Sequence, residues 1–481
     1  MSNRSDALYL AIDQGGHASR ALLFDVSGQV VASAFAPLDT RHPREGWVEH
    51  DAKSMIESVQ LAIRDVLSEV EDVARIRAAG LATQRSSIVC WDRRTGEPLS
   101  PVLSWQDRRN AAWLERQRLE PDELRNITGL VPSPHYGASK LRWCLDHLEA
   151  VRLASERKTL ALGPVAGFLL FRLLAGRPFV IDPANASRTL LWDYRSRDWS
   201  ASLLEQFGLP RPILPDCVGS RHAFGHLPVA GASIPLTVCT GDQSAVPFAF
   251  GPPGAGAAYI NIGTGAFVQR LIGRAPPATR GLLVSVAWQH AAEAIYVLEG
   301  TVNGAGSALD AIGCAQPASA SKARDDTELL FLNGVGGLGS PFWLPEFESR
   351  FIGDGDATAR QGAVLESIAF LLRENLDLMQ ELSGRLEWLI VTGGIASRDE
   401  LCRAIAGLSG VSVRRPELRE ATARGLAWLV ADRPSGWEVP MEEFAPARDA
   451  GLRSRFARWR KAMRSAIRKS GHRVSGRRSS S

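Results

Sequence analysis

Two acids stand where short apolar runs end. In YLAIDQGGHASRALLFD, Asp13 precedes a turn of Gly15, Gly16, His17 and Ala18, and a second apolar run begins after Arg20. In PLTVCTGDQSAVPFAFG, a strand expected at Leu236–Thr240 ends in Gly241, Asp242 and Gln243. That spacing sets a carboxylate at the C-terminal end of a strand, where α/β sheets hold their ligands. An acid there can accept the proton of an attacking hydroxyl. A second acid beside a glycine-rich turn can share Mg²⁺ with a phosphate, partly through water. The glycines contribute by absence: without side chains the backbone N–H groups reach phosphate oxygens. A single turn of this kind is common and decides nothing.

Repetition adds weight. AAYINIGTGAFVQRLIG repeats the opening pattern: Ala257–Ile262 lead into Gly263, Thr264 and Gly265, and a second strand covers Phe267–Ile272. Two hairpins around glycine-rich turns indicate duplicated halves facing one cleft, where they could grip one polyphosphate from both sides. A third turn lies in LEWLIVTGGIASRDELCRAI, with a strand at Leu389–Thr392, a tight turn at Gly393 and Gly394, and a helix from Asp399. Elsewhere β-like runs alternate with amphipathic helices, the pattern of an α/β protein. Met55, Val59, Ile63, Val66 and Leu67 share one helix face; Leu365, Ile368, Leu372, Leu376 and Met379 share another.

The bounds on this reading are ordinary. A chain of 481 residues exceeds what one hydrophobic core supports, so two or more domains are expected. Six scattered cysteines without a CxxC pair suggest neither zinc nor disulfides, and a reducing, cytoplasmic setting fits. The longest apolar stretch, Val165–Phe171, lies between Pro164 and Arg172 and is too short for a membrane span, and the N-terminus lacks a signal-peptide core. Gly451–Ser481 holds eleven Lys or Arg and no acid, which leaves the rest of the chain at about −7 against a total of +4. The body is therefore a poor partner for nucleic acid. Leu452, Phe456, Trp459, Met463 and Ile467 recur at helical spacing, so the tail is expected to dock one face, with SGHRVSGRRSSS beyond it disordered.

Taken in order, AIDQG, SRALLFD, SWQDRR, GLVPSPHYGASKLRWCLD, NASRTLLWD, TGDQS, NIGTGAF, LEGTVNGAG, TGGIAS and RPELREATARGLAW resemble the FGGY carbohydrate kinases, within them the glycerol kinases, from Tyr9 to about Leu429. The resemblance implies two actin-like, ribonuclease H-like domains around a central cleft. The divisions would be 1–243, 244–450 and a basic tail, 451–481. It implies ATP and Mg²⁺, transfer of the γ-phosphate to a hydroxyl of a small polyol or sugar, and room for a homodimer or homotetramer. Carried over by position, Asp242 is the catalytic base, and Asp13 and Asp242 lie at the metal. Arg20 and Thr264 meet phosphate, with Gly15, Gly16, His17, Gly263 and Gly265 in the same turns. Gly306, Asp310, Gly393, Gly394 and Arg398 fall on the nucleotide side. Arg85, Ser86, Trp105, His135, Tyr136, Gln243 and Phe267 fall on the acceptor pocket.

Departures from the glycerol kinase pattern matter equally. Ser86 stands where an acid is usual, and His135 where a Tyr is usual, with Tyr136 adjacent. Arg398 and Asp310 replace an Asn and a Gln, and Gly16, His17 and Ala18 replace three hydroxyl residues. A carboxylate accepts from two hydroxyls at once and a serine reaches less far. Its loss would weaken glycerol binding by about 1–3 kcal/mol. A pentulose acceptor, of the xylulose or ribulose type, and a non-catalytic homologue that binds nucleotide or sugar are the alternatives.

Overall fold

The structure, a computed structural model, describes residues 6–477 apart from 230, 278, 314–328 and 419, with side chains to Lys469. β1 (Leu8–Gln14) and β2 (Ala18–Phe24) are apolar on both faces, as strands covered on both sides must be. They pair as a hairpin, and β3 (Val30–Pro37), with more exposed residues, forms one edge. On the other side of β1 lies β4 (Ile76–Thr83), parallel to it. An antiparallel pair, β5 (Arg221–Val229) and β6 (Ala232–Gly241), completes the sheet, with β6 parallel to β4.

The second sheet repeats this plan. β7 (Ala257–Ile262) and β8 (Ala266–Ile272) form its hairpin. β9 (Leu283–His290) and β10 (Glu293–Val302) lie beyond β8, while β11 (Trp388–Thr392), β12 (Ser412–Pro416) and β13 (Met441–Phe444) lie beyond β7. Five strands in each sheet, β3-β2-β1-β4-β6 and β10-β8-β7-β11-β12, share the same sequence of antiparallel and parallel pairings. The duplication expected from two glycine-rich hairpins is therefore carried through both sheets.

Helices cover the faces where the apolar spacing places them. In α1 (Ala52–Ser68), Asp51 caps the first turn by accepting from the N–H groups of Lys53 and Ser54, and the five expected apolar residues are buried. α2 (Gly137–His147) flanks a small four-stranded sheet inserted in the first half. α3 (Ala357–Ser383) buries Leu365, Ile368, Leu372, Leu376 and Met379, and α4 (Asp399–Ser409) starts where expected. Trp91 is wholly enclosed, packed on Phe168 and Phe171.

One helix crosses between the halves. α5 (Ala421–Val430) follows the parallel strands of the second sheet in the chain, yet it packs on β1 and β4 of the first. Two glycines make the approach possible. A Cβ on Gly80 would stand 2.6 Å from Val430, and one on Gly425 would stand 2.0 Å from the carbonyl oxygen of Ala245. Arg424 locks the crossing by donating from its buried guanidinium to the carbonyls of Ala249, Trp437 and Gly28. The segment beginning at Asp242 is thus held against backbone.

α6 (Ala450–Arg477) docks as its spacing implies, with Leu452, Trp459 and Met463 buried and Phe456 and Ile467 against the same core. Arg455 forms a buried pair with Glu366 on α3. The helix extends to Arg477, into the stretch whose composition suggests disorder. No proline interrupts it, and the docked turns supply a nucleus from which the ladder propagates.

Because Gly425 meets backbone and not a movable side chain, Gly425→Ala should destabilise by about 1–3 kcal/mol. A lowered melting temperature checks this; an unchanged one would mean that α5 can back away freely.

Candidate active site

β1, β4 and β6 are parallel neighbours, so their C-terminal ends lie along one edge. Asp13 and Thr240 flank Ala82 in register, and Gln14 and Gly241 flank Thr83. The chain leaves these strands through Gln84 and Arg85 on one side and Asp242 on the other. Strand order alone therefore gathers Asp13, Arg85 and Asp242 from positions far apart in the sequence.

Gly241 brings Arg85 to Asp242: a Cβ there would stand 2.5 Å from the Arg85 Cγ, so the arginine stem lies directly over this residue. Asp242 opens a short helical turn, Asp242–Ala245, and its Oδ1 accepts from the Gln243 N–H at 2.7 Å. Arg85 Nε is 3.9 Å from the same oxygen, and its Nη1 donates to Glu299 at 3.0 Å. Glu299 comes from β10 of the second sheet, is fully buried, and also pairs with Arg188 at 3.2 Å. One carboxylate thus ties two arginines of the first half to the second.

The titration of these groups follows from their surroundings. Burial opposes ionisation of Glu299, but Arg188 and Arg85 outweigh it and lower its pKa to about 2. Burial raises Asp242, and the nearby Arg85 recovers only part of that shift. Burial and the charge of Asp242 together push Asp13 up to about 7, against the counter-pull of Arg20. Two carboxylates in each other's field, neither fully compensated, suit a cation between them. Among the described residues no cluster of three or more His, Cys, Asp or Glu could hold a metal alone. That donor set fits Mg²⁺, which takes one or two carboxylates and completes its shell with water and phosphate.

The expected acceptor pocket assembles around Arg85. Tyr136 is buried beneath Arg188, whose guanidinium lies 5.3 Å from the ring centre. His135 donates from Nδ1 to the carbonyl of Trp105 at 3.0 Å, so it braces the pocket wall, and Trp105 keeps 40% of its surface exposed. Phe267 and Gln269 share one face of β8, and Gln269 donates to Glu299, which puts Phe267 on the side of the sheet that carries Glu299. Gln243 Oε1 is buried with no hydrogen-bond partner among the described residues. Ser86 adopts a left-handed backbone, φ 66°, and its hydroxyl donates to the carbonyl of Arg188 at 3.2 Å.

Of the three glycine turns expected at the nucleotide, two emerge side by side from the second sheet and one from the first. Gly15 N–H closes the first hairpin on the Ala18 carbonyl at 2.9 Å; a Cβ on Gly16 would meet nothing within 4 Å, and His17 is exposed at the tip. The second is braced from behind. Gly306 N–H donates to the Gly263 carbonyl, and the Ala305 and Ser307 N–H groups donate to that of Thr264, which leaves Gly265 against the Val302 and Asn303 carbonyls. Gly393, at φ 96°, approaches the Ile262 carbonyl so closely that a Cβ would stand 2.4 Å away. β7 and β11 are parallel neighbours, so their turns emerge together. Gly394 opens a short 3₁₀ turn, Gly394–Ser397, where the sequence suggests only a tight turn.

The remaining expected residues differ in exposure and partners. Arg398 is buried at the start of α4, 3.9 Å from Glu400, so its charge is turned into the protein. Asp310 is exposed at the end of the helical turn Gly306–Asp310. Arg20 lies 3.8 Å from Glu420, just ahead of α5. Glu299 is the principal residue that motif reading passes over. An acid inside the apolar run YVLEGTV was the available signal, since a carboxylate buried mid-strand must be paired.

A family model described as the N-terminal domain of the FGGY family of carbohydrate kinases matches residues 8–249, and one described as the C-terminal domain matches residues 258–431. The chain belongs to the FGGY family of carbohydrate kinases. A glycerol kinase of Geobacter sp. (strain M21) is 36% identical over 95% of this chain and 98% of that relative. One from Bordetella parapertussis is 37% identical over 94% and 96%. Among solved structures, a Plasmodium falciparum glycerol kinase with ADP superposes with a TM-score of 0.86 at 22% identity, covering 96% of this chain and 98% of that one. A xylulose kinase from Rhodospirillum rubrum gives 0.82 at 18% identity, covering 97% and 99%. The two sheets are the two actin-like domains of this fold. The protein is a glycerol kinase-like phosphotransferase with an alcohol group as acceptor, of a class that uses ATP and Mg²⁺. No described helix is long and apolar enough to cross a membrane.

The raised pKa of Asp13 has a stability consequence. Between about pH 4, its unfolded value, and about pH 7, its folded value, the folded state retains a proton that the unfolded state releases, so stability falls as pH rises through that window. Asp13→Asn should therefore raise the melting temperature of the ligand-free enzyme at pH 8, by on the order of 2 kcal/mol in stability, and leave it unchanged near pH 4. Parallel melts of both proteins across this range check the prediction.

Proposed function

We propose that Asp242 is the general base of this kinase and that Asp13 and Asp242 hold its Mg²⁺ beside the paired glycine hairpins. The observation that carries the reading is the alignment of Asp13, Arg85 and Asp242 at the ends of three adjacent parallel strands. An acceptor hydroxyl beside Arg85 loses its proton to Asp242 as its oxygen bonds to the γ-phosphorus of ATP, while the bond from that phosphorus to the β–γ bridging oxygen breaks and ADP leaves. The raised pKa of Asp242 improves it as a base, because a carboxylate of ordinary acidity takes a hydroxyl proton poorly. When bound, Mg²⁺ neutralises charge on the transferring phosphoryl group. Backbone N–H groups of Gly16, Thr264 and Gly265, with the exposed Thr264 hydroxyl, are the donors for the phosphates, those of Gly15 and Gly263 being spent in closing their own turns.

The acceptor is a small polyol or sugar. Arg85 orients its oxygens, while Trp105, Tyr136 and Phe267 pack on its carbons and Gln243 offers its unused Oε1. Ser86 favours a second reading of the acceptor, a pentulose. The relatives named as glycerol kinases supply the simplest acceptor, glycerol, but here the Ser86 hydroxyl is already committed to the Arg188 carbonyl. No carboxylate is then available at that position to take two glycerol hydroxyls.

ADP release over glycerol, tetritols, pentitols and ketopentoses ranks the acceptors. Asp242→Asn should abolish turnover on the best of them, and retained turnover would remove Asp242 as base. Ser86→Glu should lower the KM for glycerol about five- to fifty-fold relative to the other acceptors, on the scale of one or two hydrogen bonds to a charged group. Equal KM values before and after would show that position 86 does not read the acceptor.

A further inference from the structure

We infer that Lys140 is a positioning residue of the acceptor pocket, holding three separate stretches of its wall in one arrangement through their backbone carbonyls. The inference rests on the assignment of that pocket to the acceptor. Lys140 sits on α2 with no exposed surface. Its Nζ donates to the carbonyl oxygens of Ser86 at 2.8 Å, Ser104 at 2.8 Å and His135 at 2.9 Å. An ammonium has three N–H donors, and all three are used.

The identity of the three carbonyls distinguishes this from an ordinary buried lysine. Ser86 follows Arg85, Ser104 precedes Trp105, and His135 precedes Tyr136. Each bond therefore fixes the peptide next to a different pocket side chain, and the three stretches are otherwise far apart in the chain. Ser86 has the most to lose, since its left-handed backbone, φ 66°, is strained and persists only where the surroundings hold it. The direct bond from His135 Nδ1 to Trp105 adds one link between two of the stretches, and the Trp105 N–H to Ser87 Oγ bond adds another.

No carboxylate lies within ion-pair distance of Lys140 among the described residues. Asp107 is the nearest acid in effect, but it forms a bidentate pair with Arg109, which also bonds Glu49. The other groups facing Lys140 are Cys144 on its own helix and His135 on the adjoining loop. Burial lowers the Lys140 pKa to about 7, with Asp107 opposing and Arg109 assisting. Above that pH the neutral amine keeps two N–H donors for three carbonyls, and one wall stretch loses its tether. The acceptor site should then loosen as pH rises through about 7.

The test uses the best acceptor of the wild-type enzyme, with KM for acceptor and for ATP measured separately from pH 6 to pH 9. For wild type, the acceptor KM should rise three- to ten-fold above about pH 7 while the ATP KM does not follow. Lys140→Met, close in volume and without donors, should raise the acceptor KM at pH 6.5 at least ten-fold, leave the ATP KM within two-fold, and remove the high-pH rise. An acceptor KM that is flat with pH in wild type overturns the inference, even where Lys140→Met fails to fold. So does a folded Lys140→Met enzyme whose two KM values are unmoved or rise together. Absence of turnover on every acceptor would instead overturn the acceptor-site assignment, and this inference with it.

Discussion

Glu299 is a carboxylate with no access to water, and the arrangement of the cleft follows from how its charge is met. Leaving such a group unpaired costs several kcal/mol, and neutralising it with one arginine would still leave a lone pair unused. Here Arg85 and Arg188 both point at it from the first half, and Gln269 donates from its own sheet. The pair is electrically asymmetric, two cations against one anion, so a second acid is needed nearby. Asp242, within reach of Arg85, is that acid. The acid assigned as base and the two-domain contact are therefore parts of one charge balance: removing either carboxylate strands an arginine in a buried place.

That balance also sets the titration of the remaining groups. Arg85 is shared, and Glu299 takes the larger part of it, at 3.0 Å against 3.9 Å. Asp242 is left under-compensated, its pKa above the usual range, and its residual charge in turn raises Asp13. The strand ends thus carry two under-compensated acids, at a cost in stability of the ligand-free protein. Active sites commonly hold groups whose stability would improve if they were replaced, and Asp13 is of this kind.

How far the sequence disclosed this depended on whether the signal was local. The hairpins around Gly15 and Gly263, the acid after Thr240 and the helix faces of α1 and α3 are each written within one short stretch, and the structure places them as the spacing implies. The ends of the docked tail helix and the 3₁₀ turn at Gly394 were less legible, because helix propagation and turn type respond to neighbours in space. Glu299, Arg188 and the crossing of α5 onto the first sheet depend on residues more than 80 positions apart, and no periodicity encodes them. Gly80, Gly241 and Gly425 illustrate the difficulty: each looks like an ordinary strand or helix glycine until the atom it would strike is known.

The two glycine hairpins begin alike and are both held through their carbonyls, and this bears on the missing hydroxyls of the first. The second is held from behind by the N–H groups of Ala305, Gly306 and Ser307, which donate to the carbonyls of Gly263 and Thr264 and leave the Thr264 side chain exposed. The first is anchored through carbonyls, with Leu38 bonding that of His17 and Thr40 that of Gly16, and has open space beside Gly16. The Gly15 N–H closes the hairpin on Ala18, but anchoring by carbonyls spends no other N–H at the tip, and a free N–H is the property a phosphate needs. A hairpin built this way can cradle an anion without side-chain hydroxyls, and Arg20, although shared with Glu420, supplies the adjacent positive charge. Backbone geometry therefore keeps the turn in form with Gly16, His17 and Ala18 in place of three hydroxyl residues.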